Sequence, residues 1–188
     1  MDEYCGEIKD RLVAIGECGL DYDRFNYASK EQQLAVFPHH FDLAEKHKLP
    51  LYLHNRNTGD DFFDIVAKNR DRFGSGVVHS FTGTAEEAKR IVDLNLFIGV
   101  NGCSLKTEEN LEVLKTIPVD RIMLETDAPY CGIGNSYAGA KLVKTKFPMK
   151  NKPTEGYLLK GRNEPCRIVE VMEAVSTVLG VGEENYAR

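Results

Sequence analysis

Four residues of types that bind divalent metal ions each complete a short apolar run of the chain. They are Glu17, His54, His79 and Asp127. Apolar runs this short are typical of strands buried on both faces, and the carboxyl ends of parallel strands meet at one edge of a sheet. Two imidazoles and two carboxylates at that edge would suit zinc, manganese or magnesium. A cation held there would activate water as a nucleophile, so the pattern predicts a hydrolase.

Each of these residues also has an ordinary structural interpretation. A histidine at the end of a strand more often forms a hydrogen bond than a metal ligand, and acids that follow a strand can lie in a solvated turn. Four such residues at the same position of four strands are harder to explain in this way. The repetition therefore favours a shared metal site.

The elements that must position these residues are five apolar runs that alternate with segments of helical periodicity. The predicted strands cover residues 12–17, 49–54, 76–80, 96–101 and 122–127. Strand followed by helix, repeated, is the pattern of an α/β fold with a parallel sheet. Capping boxes at Ser29 and Thr84 predict helix starts, and Pro38 predicts a kink in the first of these helices. Asn163 is the predicted N-cap of the last helix.

Residues 128–162 form a long segment without helical or strand periodicity. The segment holds one acid, Glu155, and seven basic residues, which are Lys141, Lys144, Lys146, Lys150, Lys152, Lys160 and Arg162. Aromatic residues such as Tyr130 lie between them. Lysines neutralise phosphates and aromatic rings stack on bases, so the segment is a candidate for binding single-stranded nucleic acid. The alternative is a mobile loop whose lysines only aid solubility.

Composition limits the class of protein. The 188 residues carry a net charge of −5 and are 42% hydrophobic, which favours one globular domain and disfavours nucleic-acid binding by the whole surface. No apolar run is long enough to cross a membrane, and no secretory signal is recognisable, so a nuclear or cytoplasmic location is predicted. The five cysteines are odd in number and widely spaced, and this predicts reduced thiols.

Five segments together resemble the successive signatures of the TatD-type deoxyribonucleases. They are Ala14-Ile-Gly-Glu17-Cys-Gly-Leu-Asp21-Tyr22, Leu53-His54-Asn-Arg56, Val78-His79-Ser-Phe-Thr-Gly83, Leu124-Glu-Thr-Asp127-Ala-Pro-Tyr130 and Arg162-Asn-Glu-Pro165. This family consists of metal-dependent hydrolases of the amidohydrolase-like TIM-barrel class. The stretch Asn101-Gly-Cys-Ser104 is similar to the eukaryotic branch.

The resemblance implies a role for each matching residue. Glu17 would bridge two divalent cations (Mg, Mn or Zn), His54 and His79 would bind one of them, and Asp127 would complete the site and orient the water. Glu17 and Asp127 would thus be the catalytic residues. The residues expected to contact DNA, from the resemblance and the basic segment together, are Arg56, Tyr130, Lys141, Lys144, Lys146, Arg162, Asn163 and Glu164.

The chain departs from the family pattern in one important respect. The family begins with a strand that carries a His-x-His pair, and this sequence has none. A complete (β/α)₈ barrel takes about 250 residues, so the expectation is a partial TIM-like barrel. Residues 1–188 would form a single incomplete TatD-type domain, shortened at both ends, in which one metal site survives in weakened form.

The leading functional prediction is a metal-dependent deoxyribonuclease that hydrolyses phosphodiester bonds from single-stranded regions or ends of DNA. Two alternatives stay open. One is a catalytically impaired, shortened form that binds nucleic acid or a partner. The other is a hydrolase of small-molecule amides or esters, since related barrels cleave such bonds.

Overall fold

The computed structural model describes residues 2–7, 10–182 and 184, and its strands and helices alternate along the chain as the sequence predicts. Two compact units divide the chain. The first unit comprises Met1–His79 and Arg90–Phe97, and the second comprises Ser80–Lys89 and Ile98–Arg188. The prediction of one domain over the whole chain stays a prediction.

The elements up to the third strand belong to the first unit. They are α1 (Asp2–Glu7), β1 (Ile15–Asp21), α2 (Lys30–Val36), α3 (His39–His47), β2 (Leu51–Arg56), α4 (Asp61–Lys68) and β3 (Gly76–Val78), with a 3-10 turn at Arg70–Arg72. Both strand pairs of this unit are parallel. In the β1–β2 pair Gly19 lies opposite His54, and in the β2–β3 pair Leu53 lies opposite Val78.

The later elements begin with a helix that crosses the boundary between the units. They are α5 (Ala85–Asp93), β4 (Phe97–Val100), α6 (Glu108–Lys115), β5 (Ile122–Leu124), β6 (Met149–Lys150), β7 (Leu158–Leu159) and α7 (Ile168–Leu179). Short 3-10 turns lie at Gly102–Leu105, Val119–Arg121, Ala138–Leu142 and Pro165–Arg167. β4 and β5 pair in parallel, with Val100 opposite Leu124. The parallel pairing within each unit confirms the predicted α/β class.

Aromatic packing holds the helices of the first unit in place. The ring centroids of Phe37 and Phe41 are 5.1 Å apart, and those of Phe37 and Phe62 are 5.9 Å apart. All three side chains are fully buried, as is Leu53 of the neighbouring strand. Burial of each such side chain contributes about 1.5–3 kcal/mol. Leu53 of β2 belongs to the buried core of this unit, and the next residue, His54, is one of the predicted metal ligands.

The predicted helix starts agree well with the structure. Ser29 forms the capping box of α2 with Gln32, and Thr84 and Glu87 exchange the same pair of hydrogen bonds at the start of α5. The kink predicted at Pro38 is a full break, because α2 ends at Val36 and α3 begins at His39. Among the described residues, no helix combines the length and the apolar character needed to cross a bilayer.

Three local predictions are wrong. The strand predicted at residues 12–17 lies at Ile15–Asp21, so Glu17 is inside the strand rather than at its end. Met123 is 44% exposed, so the run at 122–124 is not buried on both faces. The segment 128–162 is not without structure, because it contains the 3-10 turn Ala138–Leu142 and the parallel pair of β6 and β7.

Candidate metal centre

Three predicted ligands of the first unit converge. The Oε1 atom of Glu17 lies 2.8 Å from Nε2 of His79 and 2.9 Å from Nδ1 of His54, and these two nitrogens are 3.0 Å apart. One carboxylate oxygen and two imidazole nitrogens therefore form a nearly equilateral triangle. Glu17 and His79 are 62 positions apart in the sequence, and the parallel sheet brings them together.

Strand register explains why the two imidazoles meet. His54 follows Leu53 on β2, His79 follows Val78 at the end of β3, and Leu53 and Val78 are partners in the parallel pair. The amide of His79 donates to the carbonyl of Leu53 at 2.9 Å and so continues the pairing by one step. Residues at matching positions of neighbouring parallel strands point to the same face. The two rings therefore emerge side by side.

The β1 strand approaches very closely to bring Glu17 to the same place. The register of β1 against β2 shifts between Gly16 and Cys18, so Glu17 lies on an irregularity of the strand. At Gly19, where φ is +151°, an added Cβ would overlap the backbone carbonyl of His54. Glycine at that position thus permits the strand spacing that the centre needs.

A second carboxylate fixes the orientation of His54. Asp21 Oδ2 lies 3.1 Å from His54 Nε2 and accepts the proton of that nitrogen. This hydrogen bond leaves the lone pair of Nδ1 directed at Glu17 and His79, which is the arrangement found when a carboxylate supports a metal-binding histidine. The ring of Tyr52 stacks on His79 with centroids 4.8 Å apart and restricts the second imidazole.

The spacing of the three donors fits a divalent cation. Two ligands at right angles about a cation, each about 2.1 Å from it, are separated by about 3.0 Å. The observed separations of 2.8–3.0 Å match that value for all three pairs. The side chain of His79 is 5% exposed and that of Glu17 is 50% exposed, so one side of the triangle is open to solvent. The residues present therefore fit a divalent metal that keeps positions for water or substrate.

A cavity of about 280 Å³ opens beside the triangle. Its lining includes Glu17 and His54 together with Asp21, Arg24 and Tyr27. Arg24 is exposed and Tyr27 is 79% exposed, so both can reach a bound molecule. The sequence analysis did not include Asp21, Arg24 and Tyr27 among the candidate site residues. Their position in the sequence could have indicated them, because Asp21 ends the strand that carries Glu17 and the other two residues follow that strand closely.

Arg56 lies next to the same centre. Its Nη1 is 3.4 Å from Asp21 Oδ2, the atom that also contacts His54, and its side chain is 42% exposed. The guanidinium can therefore contact an anion at the centre while it neutralises Asp21. Its predicted contact with phosphate stays a prediction.

Cys18 is a packing residue. Its side chain is buried, and its Sγ donates to the carbonyl of Tyr52 at 3.8 Å. Burial, and then the negative charge of Glu17, raises the pKa of the Cys18 thiol to about 12. The thiol therefore stays protonated at neutral pH and is a poor nucleophile.

Asp127 belongs to the second unit, where it follows β5 in the left-handed backbone region with φ of +50°. Its Oδ2 accepts a hydrogen bond from the Cys131 thiol at 3.2 Å, and its backbone carbonyl accepts from the amide of Tyr130 at 2.9 Å. Tyr130 is 72% exposed. The roles predicted for Asp127 in metal binding and for Tyr130 in substrate binding stay predictions.

Polar residues near the ends of β4 and β5 form a hydrogen-bond network in the second unit. The side-chain Nδ2 of Asn101 donates to Ser80 Oγ at 2.9 Å and to Glu125 Oε1 at 3.1 Å. The backbone N–H of Ser80 donates to the same carboxylate oxygen. Glu125 thus connects the loops that follow β3, β4 and β5, which is a structural role.

The other predicted DNA contacts lie on or beside the basic segment of the second unit. Lys141 is exposed and lies 3.8 Å from Glu108, whereas Lys146 borders a cavity of about 90 Å³. The backbone N–H of Lys144 donates to the carboxylate of Glu173 at 2.7 Å. Exposure of the lysine side chains is compatible with phosphate binding, which stays a prediction.

Arg162, Asn163 and Glu164 form a compact group. Arg162 Nε lies 3.3 Å from Glu164 Oε1. The buried side chain of Asn163 donates to the carbonyl of Thr126 at 2.8 Å instead of capping a helix, because the 3-10 turn before α7 starts one residue later, after Glu164. The predicted N-cap is therefore wrong. Asn163 anchors this segment to the loop after β5.

The whole sequence resembles one family of known proteins. The sequence model described as TatD related DNase matches residues 2–188. The deoxyribonuclease Tat-D of Schizosaccharomyces pombe is 45% identical over 187 residues, which cover 97% of this chain and 60% of that protein. A 3'-5' ssDNA/RNA exonuclease TatD of Rahnella is 36% identical over 168 residues, or 88% of this chain and 57% of the relative. The chain thus spans about three fifths of the length of these relatives.

Solved structures agree with the sequence comparison. A TatD family hydrolase from Entamoeba histolytica is similar with a TM-score of 0.90 and 37% identity, over 97% of this chain and 62% of that one. An amidohydrolase from Saccharomyces cerevisiae gives a TM-score of 0.87 and 34% identity, over 98% of this chain and 66% of the other. These similarities confirm the predicted TIM-barrel type of α/β fold. The chain belongs to the family of TatD related DNases.

Proposed function

We propose that this chain carries the metal centre of a deoxyribonuclease that hydrolyses phosphodiester bonds. The observation that supports this most directly is the triangle of Glu17, His54 and His79, whose spacing suits a divalent cation. Relatives named as deoxyribonucleases support the choice of substrate. Because the chain covers 60% of the first of these relatives, activity, substrate and partners are proposals for this chain.

Glu17, His54 and His79 would hold the cation. When bound, the cation would supply a Lewis acid and lower the pKa of a coordinated water. Asp21 keeps the ring of His54 in the metal-binding tautomer, and the exposed side of Glu17 leaves access for substrate. With two nitrogen donors among three, we expect manganese or zinc to bind more tightly than magnesium. The resemblance implies two cations, and these three donors account for one.

The cavity beside the centre would receive the DNA backbone. Arg24 and Arg56 would neutralise phosphate, and Tyr27 offers an exposed ring for stacking on a base. Lysines of the basic segment would bind phosphates, and this binding does not depend on the base sequence of the DNA. We therefore expect single-stranded DNA or DNA ends as substrate, in line with the name of the Rahnella relative. A nuclear or cytoplasmic location stays part of the proposal.

Cleavage of a labelled single-stranded oligonucleotide tests this function. We expect the purified chain to shorten the oligonucleotide with manganese and to be inactive in excess chelator. His79→Ala should abolish both cleavage and metal binding. The matched control is His39→Ala, whose ring is exposed on α3. Cleavage that persists in chelator, or in the His79 variant, would rule out the metal mechanism.

The alternatives give different results in the same experiment. A chain that binds DNA with a steep dependence on salt but does not cleave it would be an impaired form that binds nucleic acid. The exposed lysines of the basic segment, such as Lys141, are the observation that favours this second candidate. Turnover of a small ester or amide with no effect on DNA would identify a small-molecule hydrolase.

A further inference from the structure

Two thiols of the second unit lie unusually close to each other. Cys103 Sγ and Cys131 Sγ are 2.9 Å apart, although the residues are 28 positions apart in the sequence. A disulfide bond has a length of about 2.05 Å. The two sulfurs therefore need to approach by less than about 1 Å to reach bonding distance, which small rotations of the side chains can supply.

The backbone holds both cysteines at this distance. Asn101 Oδ1 accepts a hydrogen bond from the amide of Cys103 at 2.9 Å and so fixes the 3-10 turn Gly102–Leu105. A Cβ on Gly102 would overlap the backbone carbonyl of Cys131, so the two loops pack backbone against backbone. Both cysteines are partly exposed, and a small reagent can reach them.

We propose that Cys103 and Cys131 are a site of reversible disulfide formation. The oxidant is a low-molecular-weight disulfide such as glutathione disulfide. The first attack is by Cys103, because contact with Cys103, burial and the hydrogen bond to Asp127 raise the pKa of the Cys131 thiol. The Cys103 thiolate attacks a sulfur of the oxidant and releases one molecule of glutathione. The second cysteine then attacks the mixed disulfide and releases the second molecule. Two protein thiols are oxidised to one disulfide, and one glutathione disulfide is reduced to two thiols.

The proximity of the thiols favours the second step over accumulation of the mixed disulfide. When reacting atoms are held at contact distance, an intramolecular step has a high effective concentration. By contrast, Cys166 is exposed, and we expect it to form a mixed disulfide with glutathione. The pair and the single thiol should therefore give different products with the same reagent.

Oxidation would also change the surroundings of Asp127. The Cys131 thiol donates a hydrogen bond to Asp127 Oδ2 at 3.2 Å, and a disulfide sulfur has no hydrogen to donate. A loss of activity on oxidation rests on the proposed function, because it requires that Asp127 takes part in hydrolysis. Formation of the disulfide itself does not depend on that function.

Peptide mapping of the oxidised chain tests the proposal. The folded protein is incubated with glutathione disulfide, quenched with acid, alkylated and digested. We expect a peptide pair linked through Cys103 and Cys131, reversed by dithiothreitol, and glutathione attached at Cys166. Cys103→Ser and Cys131→Ser should each remove the linked pair, whereas Cys166→Ser should keep it. A chain unfolded in guanidinium provides the reference for random pairing.

Two results would overturn the proposal. One is that no linked pair forms in the folded chain while Cys166 reacts. The other is that the pair forms no more often in the folded chain than in the unfolded reference. An activity assay on the oxidised chain separates formation of the disulfide from its effect on DNA cleavage. If the linked pair forms and DNA cleavage is unchanged, the disulfide site stands and its effect on Asp127 is rejected. If the reduced chain does not cleave DNA, only the proposed function is contradicted.

Discussion

Asp21 lies outside the predicted ligand set and orients one residue of the candidate metal centre. Its Oδ2 contacts both His54 Nε2 and Arg56 Nη1, at 3.1 and 3.4 Å. A carboxylate in this position fixes the imidazole tautomer and raises the basicity of the metal-binding nitrogen. Asp21 would thus act through His54 and not through its own bond to the cation.

Replacement of Asp21 by asparagine should weaken metal binding. The neutral amide no longer stabilises the His54 tautomer, so we expect a loss of about 10- to 100-fold in affinity for manganese or zinc. Metal titration against a fluorescent chelator measures this change. Asp23→Asn is the matched control, because Asp23 lies in the turn directly after β1 and its carboxylate accepts a hydrogen bond from Asn57. Equal affinity in the two variants would contradict a supporting role for Asp21.

Arg24 gives a prediction about substrate. Arg24 lines the cavity beside Glu17 and His54, so Arg24→Ala should raise KM for single-stranded DNA and leave metal affinity unchanged. Loss of one phosphate contact should also reduce the salt dependence of DNA binding by about 0.7 in the log–log slope. Lys68→Ala, which removes an exposed charge at the end of α4, should change neither quantity. Fluorescence anisotropy at several salt concentrations measures the slope.

The basic segment is attached to α7 by one carboxylate. Glu173 is buried and accepts hydrogen bonds from the backbone amides of Lys144 and Thr145 and from the Thr145 hydroxyl, at 2.6–2.9 Å. Burial of Glu173 favours the neutral carboxyl and so raises its pKa. The hydrogen bonds favour the charged form and outweigh burial, so the pKa of the carboxyl lies below its ordinary value. A helix thus fixes part of a segment that, by its sequence, could be a mobile loop.

Glu173→Gln should therefore destabilise the chain. An amide keeps one acceptor oxygen for the two N–H groups but carries no charge. Because hydrogen bonds to a charged acceptor are stronger than those to a neutral one, we expect a loss of about 1–3 kcal/mol in the free energy of unfolding. Because the pKa of Glu173 is lowered by folding, its contribution is present above the ordinary carboxyl pKa and is lost as the pH falls through the folded value. The difference between the variant and the original chain should shrink at acid pH.

Urea unfolding at several pH values measures this effect. Glu112→Gln is the control, because Glu112 is exposed and pairs only with Lys115 on the surface of α6 in the contacts described. Such surface pairs contribute about 0–1 kcal/mol. A stability loss for Glu173→Gln no larger than that of the control, or one that is independent of pH, would show that Glu173 does not anchor the segment.

Metal binding should stabilise the folded first unit. The three ligands lie on different strands of the first unit and come together only in the folded state, so a cation that binds them shifts the unfolding equilibrium. At a manganese concentration of about 100 times Kd, the expected gain is about 2.7 kcal/mol. Thermal melts with manganese and with chelator measure the shift, and His79→Ala should lose it. Equal melting temperatures with and without manganese would argue against the site.

Much of the fold and part of the site could be predicted from the sequence. The apolar runs and capping boxes are local signals, and they located the strands and the N-cap of α2 at Ser29. The five motif segments identified the family. Strand ends were less certain, because pairing with a neighbour decides where a strand stops. Thus β1 extends past Glu17 to Asp21, where it still pairs with Arg56 of β2.

By itself, the sequence determined the donor types, the α/β class and the membership of the TatD related DNases, since these depend on residue identity and short-range pattern. The tertiary structure alone decided that Glu17, His54 and His79 form a triangle with sides of 2.8–3.0 Å and that Asp21 supports it. It also brought Cys103 and Cys131 into contact. The physical reason is that these distances depend on strand register and on close backbone packing between segments far apart in the chain, which no local pattern encodes.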